Sequence, residues 1–328
     1  MIYNDLYGGK MQDIKILDCT LRDGGYLNNW AFSDNSNIAI ENNLYKSNVD
    51  FVEAGFLTNK QILPESTTLY NTPQKVENKI VMVNFGEYNL SELLCPVEIR
   101  LAFKQPSLNL LKENLKILST RKIKFSLNPM HISLYSKEDL KKLFDITNEF
   151  NPTCLTAVDT MGIMTQDDTK KIFKEFDKNL DRDIHIGFHS HDNLNLSMNN
   201  IKELLSLDLD RIIILDSCLN GIGRGGGMLS TNELAKFLNI HYGKKYDTDL
   251  INNTSEKYIQ GLGNYDKTPY YLTAKQKCHP NYGLYLSNHN CSNKEIEYLL
   301  SFIPDEKKQS YDEETISNII KVERKLIY

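Results

Sequence analysis

Two histidines, His189 and His191, stand one residue apart where the apolar run 183–189 ends. If this run is a β-strand, the alternation of side chains puts both imidazole rings on the same side, where they can bind one ion. Histidines at this spacing also occur as structural or solvated residues, so the pair alone leaves both interpretations open. Joined by a carboxylate from the first strand, the pair makes a facial triad with open positions for substrate and water. Such mixed nitrogen and oxygen ligation suits Mn²⁺, Mg²⁺, Co²⁺ or Fe²⁺.

Charged residues also follow the first two apolar runs of the chain. Arg22 and Asp23 are adjacent after the run 14–20, and Glu53 lies within the run 50–56. Arg22 is either part of a salt bridge within its loop or a fixed cation that stabilises an oxyanion or enolate in the transition state. Glu53 is either a buried hydrogen-bond anchor or a group that orients Arg22 or a metal-bound water.

The elements that must position these residues are β-rich apolar runs that alternate with helical stretches and begin 18 to 36 residues apart. They lie at 14–20, 50–56, 79–85, 97–103, 122–128, 153–159, 183–189 and 211–217. Most are apolar on both faces, as in a parallel sheet covered by helices. Eight such units ending near residue 243 match the ~250 residues of a closed (β/α)₈ TIM barrel, whose chemistry lies at the carboxyl ends of the strands. A doubly wound open sheet is the alternative, but no G-x-G-x-x-G motif follows the first run.

The chain changes character after this barrel, so we predict a catalytic domain at 1–243 and a C-terminal helical extension at 244–328. Apolar residues recur at helical spacing in the extension. They are Ile296, Leu299, Leu300 and Ile303, and then Ile316, Ile319, Ile320 and Leu326. Because such a stripe must be buried, we expect the extension to serve assembly rather than chemistry, as a homo-oligomer contact or a docking surface for a second enzyme.

Composition excludes several other classes of protein. The 38 Lys and Arg against 43 Asp and Glu give a net charge of −5, which offers no electrostatic footprint for nucleic acid. The longest aliphatic stretch, at 212–215, is far short of a membrane span, and residues 1–10 lack the apolar core of a signal peptide. Six cysteines without a C-x-x-C pair indicate reduced thiols. We therefore expect a cytoplasmic globular protein.

Several of these motifs together resemble one superfamily, the DRE-TIM metallolyases. They are T-L-R-D-G at 20–24, Glu53, the H-x-H pair and a glycine-rich turn at 221–227. The superfamily takes its name from the Asp, Arg and Glu that sit here as Asp23, Arg22 and Glu53. The sequence is most similar to the 4-hydroxy-2-oxovalerate aldolase branch, through V-D-T-M-G at 158–162 and C-H-P-N-Y at 278–282.

This resemblance implies roles for individual residues. It makes Asp23, His189 and His191 the metal ligands, with Mn²⁺ as the first choice and Mg²⁺ or Co²⁺ as alternatives. It makes Arg22 the residue that stabilises the enolate. It also puts Thr160 where a hydroxyl of the aldolases holds the carboxylate of the donor substrate.

Two positions depart from the pattern of the aldolase branch. Tyr26 stands where those enzymes have an acid/base histidine, and Met228 stands where many members have asparagine. Tyr26 would then have to carry the proton, with its pKa lowered by the metal or Arg22, unless a metal-bound hydroxide does so. Asn128 and His131 follow the fifth run and are candidate substrate contacts, although an exposed loop position is the alternative for His131.

The leading hypothesis is a divalent-metal aldolase that acts on a 2-oxo acid and an aldehyde through a pyruvate-type enolate. One alternative is a Claisen-type acyl-CoA synthase or lyase of the same superfamily. The other is a non-catalytic barrel subunit that binds a partner, which the unusual Tyr26 and Met228 would favour.

Overall fold

The computed structural model describes residues 12–327, with side chains as far as residue 323, so the prediction for residues 1–10 lies outside the described residues. The predicted TIM barrel is confirmed. Eight parallel strands close into a barrel because β1 pairs with both β2 and β9. The strands are β1 (Ile14–Asp18), β2 (Phe51–Leu57), β4 (Ile80–Asn84), β5 (Glu98–Phe103), β6 (Lys124–Pro129), β7 (Cys154–Asp159), β8 (His185–Ser190) and β9 (Ile213–Ser217), with a two-residue strand β3 (Leu69–Tyr70) beside β2.

Each end of a barrel strand lies within two residues of the corresponding end of its predicted apolar run. The runs identify the strands because the strand side chains are buried on both faces. Ile14 and Ile16 face one side of β1, and both are fully buried. Ile213 and Leu215 occupy the same registers on neighbouring β9 and are also fully buried. Only helices outside and packed side chains inside can cover both faces in this way.

Six α-helices cover the described barrel, rather than one after each of its eight strands. They are α1 (Asp34–Lys46), α2 (Leu111–Thr120), α3 (Lys137–Phe150), α4 (Gln166–Asn179), α5 (Ser197–Ser206) and α6 (Thr231–Tyr242). The expected unit between β2 and β4 instead contains β3 and a 3₁₀ turn at Pro73–Val76. The connection between β4 and β5 contains a single 3₁₀ turn at Leu90–Glu92 in place of an α-helix. Pro64 and Pro73 explain the first difference, because neither permits an uninterrupted α-helix across that connection.

The C-terminal segment is helical, as predicted. Its helices are α7 (Thr248–Tyr258), α8 (Thr268–Lys275), α9 (Pro280–Asn288), α10 (Asn293–Leu300), α11 (Asp305–Lys308) and α12 (Glu313–Ile327). Ile251 and Ile259 join the core of the barrel, whereas Leu272 begins a separate apolar cluster that includes Ile296 and Ile316. The side chain of Leu326 lies outside the described residues.

The boundary at residue 243 stays a prediction. Because the two apolar clusters separate after α7, we propose that the extension begins between Leu262 and Leu272. Within residues 12–327, we find no helix with the length and apolarity that a membrane span requires.

Candidate active site

Asp23, His189 and His191 come together at the carboxyl ends of the strands. His189 lies on β8, His191 follows that strand, and Asp23 lies in a turn after β1 whose backbone N–H groups donate to the carbonyl of Cys19. All three side chains are buried, and one potential ligand atom from each lies within 4.8 Å of the others. The residues that the sequence predicts as metal ligands therefore form one cluster.

The ring of His189 is fixed by a carboxylate behind it. Its Nδ1 is 2.8 Å from Oδ2 of Asp216 on β9, and its Nε2 is 3.5 Å from Oδ2 of Asp23. Arg100 on β5 donates to the same Asp216 oxygen at 2.6 Å. Although burial opposes the charged form, hydrogen bonds with Asp216 and Asp23 raise the pKa of His189. A carboxylate that binds the far nitrogen of a histidine is the usual arrangement that orients a metal ligand.

The donor set fits a divalent ion. Although burial opposes ionisation, Arg22 and the two histidines hold the pKa of Asp23 well below its ordinary value. Burial lowers the pKa of His191 to about 3, so its imidazole is neutral at physiological pH, as a ligand must be. Nδ1 of His191 is buried and has no hydrogen-bond partner. The ionised carboxylate of Asp23 and the neutral imidazole of His191, whose Nδ1 has no partner, suit Mn²⁺, Mg²⁺ or Co²⁺.

A second group, Cys19 with His189 and Asp216, also has ligand atoms within 4.8 Å of one another. Burial raises the pKa of the Cys19 thiol well above its ordinary value, so the thiolate that a metal needs is disfavoured. Asp216 is already bound by Arg100. The group with Asp23 is therefore the better candidate.

Arg22 lies beside the metal-ligand candidates in a buried ionic network. Its Nε donates to Oε2 of Glu53 at 2.6 Å, and its Nη1 donates to Asp23. Its Nη2 is buried and has no partner. Glu53 also lies 3.2 Å from Nη1 of Arg100 through its other oxygen. The salt bridge within the loop, one of the two alternatives for Arg22, is present, and it leaves one guanidinium nitrogen available to a ligand.

These residues surround a small cavity, the inner pocket. Its polar lining is Arg22, Asp23, Asn84, Asn128, Thr160, His189, His191 and Arg224, and its remaining lining is Tyr26, Phe56, Met82, Ala102, Met130 and Val158. Its volume is about 50 Å³. Since roughly 10–15 Å³ of such volume holds one water, the inner pocket suits a molecule of only a few non-hydrogen atoms.

The substrate contacts predicted from the sequence have different positions. Thr160 and Asn128 line the inner pocket, and the Nδ2 group of Asn128 is buried without a partner. His131 is half-buried rather than exposed, and it is not among the lining residues. Its backbone N–H donates to Oγ1 of Thr160 at 2.9 Å. Burial lowers the pKa of His131 to about 4, so its side chain is neutral at physiological pH.

Tyr26 lines the inner pocket, but its pKa moves opposite to the expected direction. Burial raises the pKa of the phenol, and this effect outweighs the opposing effects of Arg224 and Arg22. Tyr26 nevertheless keeps 39% of its residue surface exposed to solvent. Arg22 does lower the pKa of Tyr26, as expected, but burial outweighs this effect and the net shift is upward.

Three residues of the site were missed at the level of sequence. Arg100 and Asp216 each interrupt an apolar strand with a charge, and this is the signal that could have identified them, since a fully buried charge is paired in nearly all proteins. Arg224 lies in the glycine-rich turn, where its backbone N–H donates to Oδ1 of Asp23 at 2.8 Å. Gly223 permits this approach, because a Cβ there would lie 2.8 Å from Oδ1 of Asp23.

The C-terminal segment contacts this glycine-rich turn. The hydroxyl of Tyr265 donates to the carbonyl of Gly225 at 2.7 Å. Nη2 of Arg224 is 2.7 Å from Nε2 of His279. Burial lowers the pKa of His279 to about 3, so its neutral ring can accept this hydrogen bond. The segment therefore holds the Arg224 side chain at the edge of the inner pocket.

Comparison with known sequences identifies relatives of this chain. A family model described as HMGL-like matches residues 72–256. Homocitrate synthase AksA from Methanosarcina mazei is 26% identical over 275 residues, which are 76% of this chain and 65% of that protein. 2-Isopropylmalate synthase from Staphylococcus carnosus is 24% identical over 71% of this chain and 50% of that protein. The chain thus spans about half to two thirds of these synthases. A 4-hydroxy-2-oxovalerate aldolase from Chloroflexus aurantiacus is 31% identical, but over only 31% of this chain and 28% of that protein.

Solved structures share the fold. The N-terminal domain of an aldolase candidate from Bacteroides vulgatus superposes with a TM-score of 0.73 at 25% identity, over 86% of this chain and 98% of that one. A hydroxymethylglutaryl-CoA lyase from Pseudomonas aeruginosa superposes with a TM-score of 0.59 at 14% identity, over 78% of this chain and 95% of that one. At 14% identity, the likeness to the lyase shows a shared fold and nothing more.

Proposed function

Because the chain belongs to the HMGL-like family, a family of enzymes, we propose that it is a divalent-metal-dependent aldolase that acts on a 2-oxo acid through a pyruvate-type enolate. One observation carries this proposal: the buried Nη2 of Arg22 has no partner, and it lies beside the cluster of Asp23, His189 and His191. A cation with a spare donor next to a metal site suits an oxygen that gains negative charge during the reaction.

The inner pocket supports a small 2-oxo acid as the donor substrate. Its volume of about 50 Å³ suits a molecule of few atoms. The polar residues that line it suit a carboxylate and a keto oxygen, whereas Phe56, Met82 and Ala102 suit an apolar methyl group. Pyruvate has this distribution of polar and apolar groups.

In the proposed enzyme, Asp23, His189 through its Nε2 and His191 would hold the metal ion, with Mn²⁺ as the first choice. When bound, the metal acts as a Lewis acid that polarises the keto group and acidifies the protons on C3. Asp216 keeps the His189 ring in the orientation that points Nε2 toward Asp23.

Arg22 and Thr160 would position the donor. Arg22 is fixed by Glu53 and Asp23, so its Nη2 can donate to the enolate oxygen without a costly rearrangement. Oγ1 of Thr160 already accepts the N–H of His131, which leaves its own hydroxyl proton available to the carboxylate of the substrate. His131 would therefore act through its backbone N–H, which orients the Thr160 hydroxyl, and not through its side chain.

Tyr26 would transfer the proton to the second reactant. Because its pKa is raised, the phenol is protonated at physiological pH and can act as an acid in the direction of bond formation. In that direction a solvent water takes the proton from C3, C3 of the enolate attacks the aldehyde carbon, and the new alkoxide takes the phenol proton. Its partial exposure lets solvent return that proton to Tyr26.

A Claisen-type synthase is the second candidate function, because the two synthases above match more than two thirds of the chain. A non-catalytic subunit has less support, since the metal-ligand set and its supporting residues Asp216 and Arg100 are complete. As partners, we propose a 2-oxo acid, an aldehyde, and either a second copy or another enzyme bound by the C-terminal helices. Exposed Tyr298 on α10 and exposed Phe302 in the turn after that helix support the last point. We propose the cytoplasm as the location.

The two enzyme hypotheses can be separated by their products. Protein supplied with Mn²⁺ is incubated either with pyruvate and aliphatic aldehydes or with acetyl-CoA and 2-oxo acids, and the products are identified by mass spectrometry. We expect 4-hydroxy-2-oxo acids from the first mixture, no free CoA from the second, and no product after treatment with EDTA. Release of CoA in the second mixture, with no product in the first, would instead establish the synthase.

A further inference from the structure

A second cavity adjoins the inner pocket and is much larger. This outer cavity is lined by Tyr26, Trp30, Phe56, Thr58, Asn59, Lys60, Leu69, Asn84 and Glu87. Its volume is about 510 Å³, against about 50 Å³ for the inner pocket. Tyr26, Phe56 and Asn84 line both spaces, so the outer cavity and the inner pocket are adjacent.

Three aromatic rings line one side of the outer cavity, and two of them, Tyr26 and Phe56, also line the inner pocket. The ring centroids of Tyr26 and Trp30 lie 4.8 Å apart, and those of Trp30 and Phe56 lie 5.7 Å apart, both in edge-to-face arrangements. Trp30 and Leu69 also pack against a small apolar cluster of Phe56, Met82 and Ala102, which is separate from the barrel core. One side of the outer cavity is therefore apolar and continuous with the reaction site.

Trp30 is held in an unfavourable backbone conformation. Its φ is 57° and that of the preceding Asn29 is 54°, although bulky residues rarely adopt positive φ. The indole Nε1 donates to the carbonyl of Arg22 at 2.7 Å, which links the ring to the proposed enolate-stabilising residue. Gly25 makes room for the ring, since a Cβ there would lie 2.1 Å from it. Strain of this kind is typical of functional positions.

We propose that the outer cavity binds the apolar substituent of the second reactant, an aldehyde larger than acetaldehyde, and that Trp30 and Leu69 determine this specificity. The inference rests on the proposed aldolase function. The carbonyl carbon of the aldehyde must meet C3 of the donor, which the small inner pocket holds, so the remainder of the aldehyde has to extend outward. The aromatic side of the outer cavity is the apolar surface it meets there.

The charges around the cavity also favour a neutral substituent over a nucleotide. Among its lining residues, Lys60 is cationic and Glu87 is anionic, and the polar remainder consists of Thr58, Asn59 and Asn84 with the phenol of Tyr26. A polyphosphate group is normally met by several cations or by a helix N-terminus. An alkyl or aryl group needs only an apolar surface to pack against.

The single tryptophan makes this binding observable without catalysis. Trp30 fluorescence is titrated with ethanol, 1-butanol and 1-hexanol, which carry the alkyl chains but cannot react with lysines. We expect a saturable change in emission and an affinity that rises by about fourfold for each added CH₂ group. The Leu69→Ala variant retains Trp30 as the fluorescent reporter. In this variant, the factor by which affinity rises for each added CH₂ group should be at least twofold smaller. Ile62→Ala is the matched control, because Ile62 is exposed in the connection between β2 and β3 and does not line the cavity.

A kinetic experiment distinguishes the proposed aldehyde subsite from the proposed aldolase activity. In the aldol reaction with pyruvate, kcat/KM should rise from acetaldehyde to hexanal, and Trp30→Phe or Leu69→Ala should flatten that rise. Saturable, chain-length-dependent fluorescence without any aldol product would retain the subsite and overturn the aldolase. Aldol product with equal kcat/KM for all aldehydes, or no saturable fluorescence change, would overturn the subsite.

Discussion

Protein supplied with Mn²⁺ should bind one ion per chain, and His189→Ala should weaken that binding by on the order of 100-fold or more. His189 is the ligand candidate with the most complete support, because Asp216 fixes its ring and Arg100 fixes Asp216. Isothermal titration with Mn²⁺ and elemental analysis after gel filtration measure the loss. Asp216→Asn should weaken binding about 10- to 100-fold, since the ring would lose its orienting carboxylate.

His185→Ala is the matched control for this experiment. His185 lies on the same strand, β8, but at its opposite end, and it belongs to neither group of potential ligands. This variant should retain the full Mn²⁺ content and affinity. If folded His189→Ala protein, judged by circular dichroism, also kept wild-type metal content, the proposed ligand set would be wrong.

Arg22→Lys should slow the enolisation of pyruvate by more than tenfold while the metal content stays constant. Lysine keeps the positive charge, but its ammonium group cannot serve Glu53, Asp23 and a substrate oxygen from the fixed positions of Nε, Nη1 and Nη2. The enolisation rate is followed by proton NMR as deuterium replaces the C3 protons of pyruvate. Metal content is measured on the same samples.

Arg211→Lys tests whether the loss of any buried guanidinium has the same effect. Arg211 is buried beside Asp177, near the beginning of β9 and away from the inner pocket. This variant should lower thermal stability but leave the exchange rate of the folded protein unchanged. Equal exchange rates in wild-type and Arg22→Lys protein would reduce Arg22 to a structural salt-bridge partner.

The barrel was predictable from the sequence because its strands are apolar on both faces, a pattern that few other folds require. The connection from β2 to β4 was not, since no local periodicity reports that a two-residue strand and a 3₁₀ turn replace a helix. Ile296, Leu299 and Leu300 in α10, by contrast, are buried as their helical spacing predicts.

The site was predictable where its residues form short motifs and not where it depends on distant contacts. Asp23, His189 and His191 lie in recognisable motifs, and they form one cluster. The pair of Arg100 and Asp216 joins residues 116 positions apart, so no local motif reports it. The raised pKa of Tyr26 has the same origin, because burial is a property of the folded site.

Deuterium exchange at C3 of pyruvate tests the central claim most directly, because it requires the metal and the enolate but no aldehyde. In D₂O, wild-type protein with Mn²⁺ should exchange the C3 protons at a rate proportional to enzyme concentration. The exchange should stop with EDTA and resume when Mn²⁺ is restored. A protein that binds Mn²⁺ stoichiometrically and binds pyruvate, yet leaves the C3 protons unexchanged, would contradict the proposed aldolase mechanism.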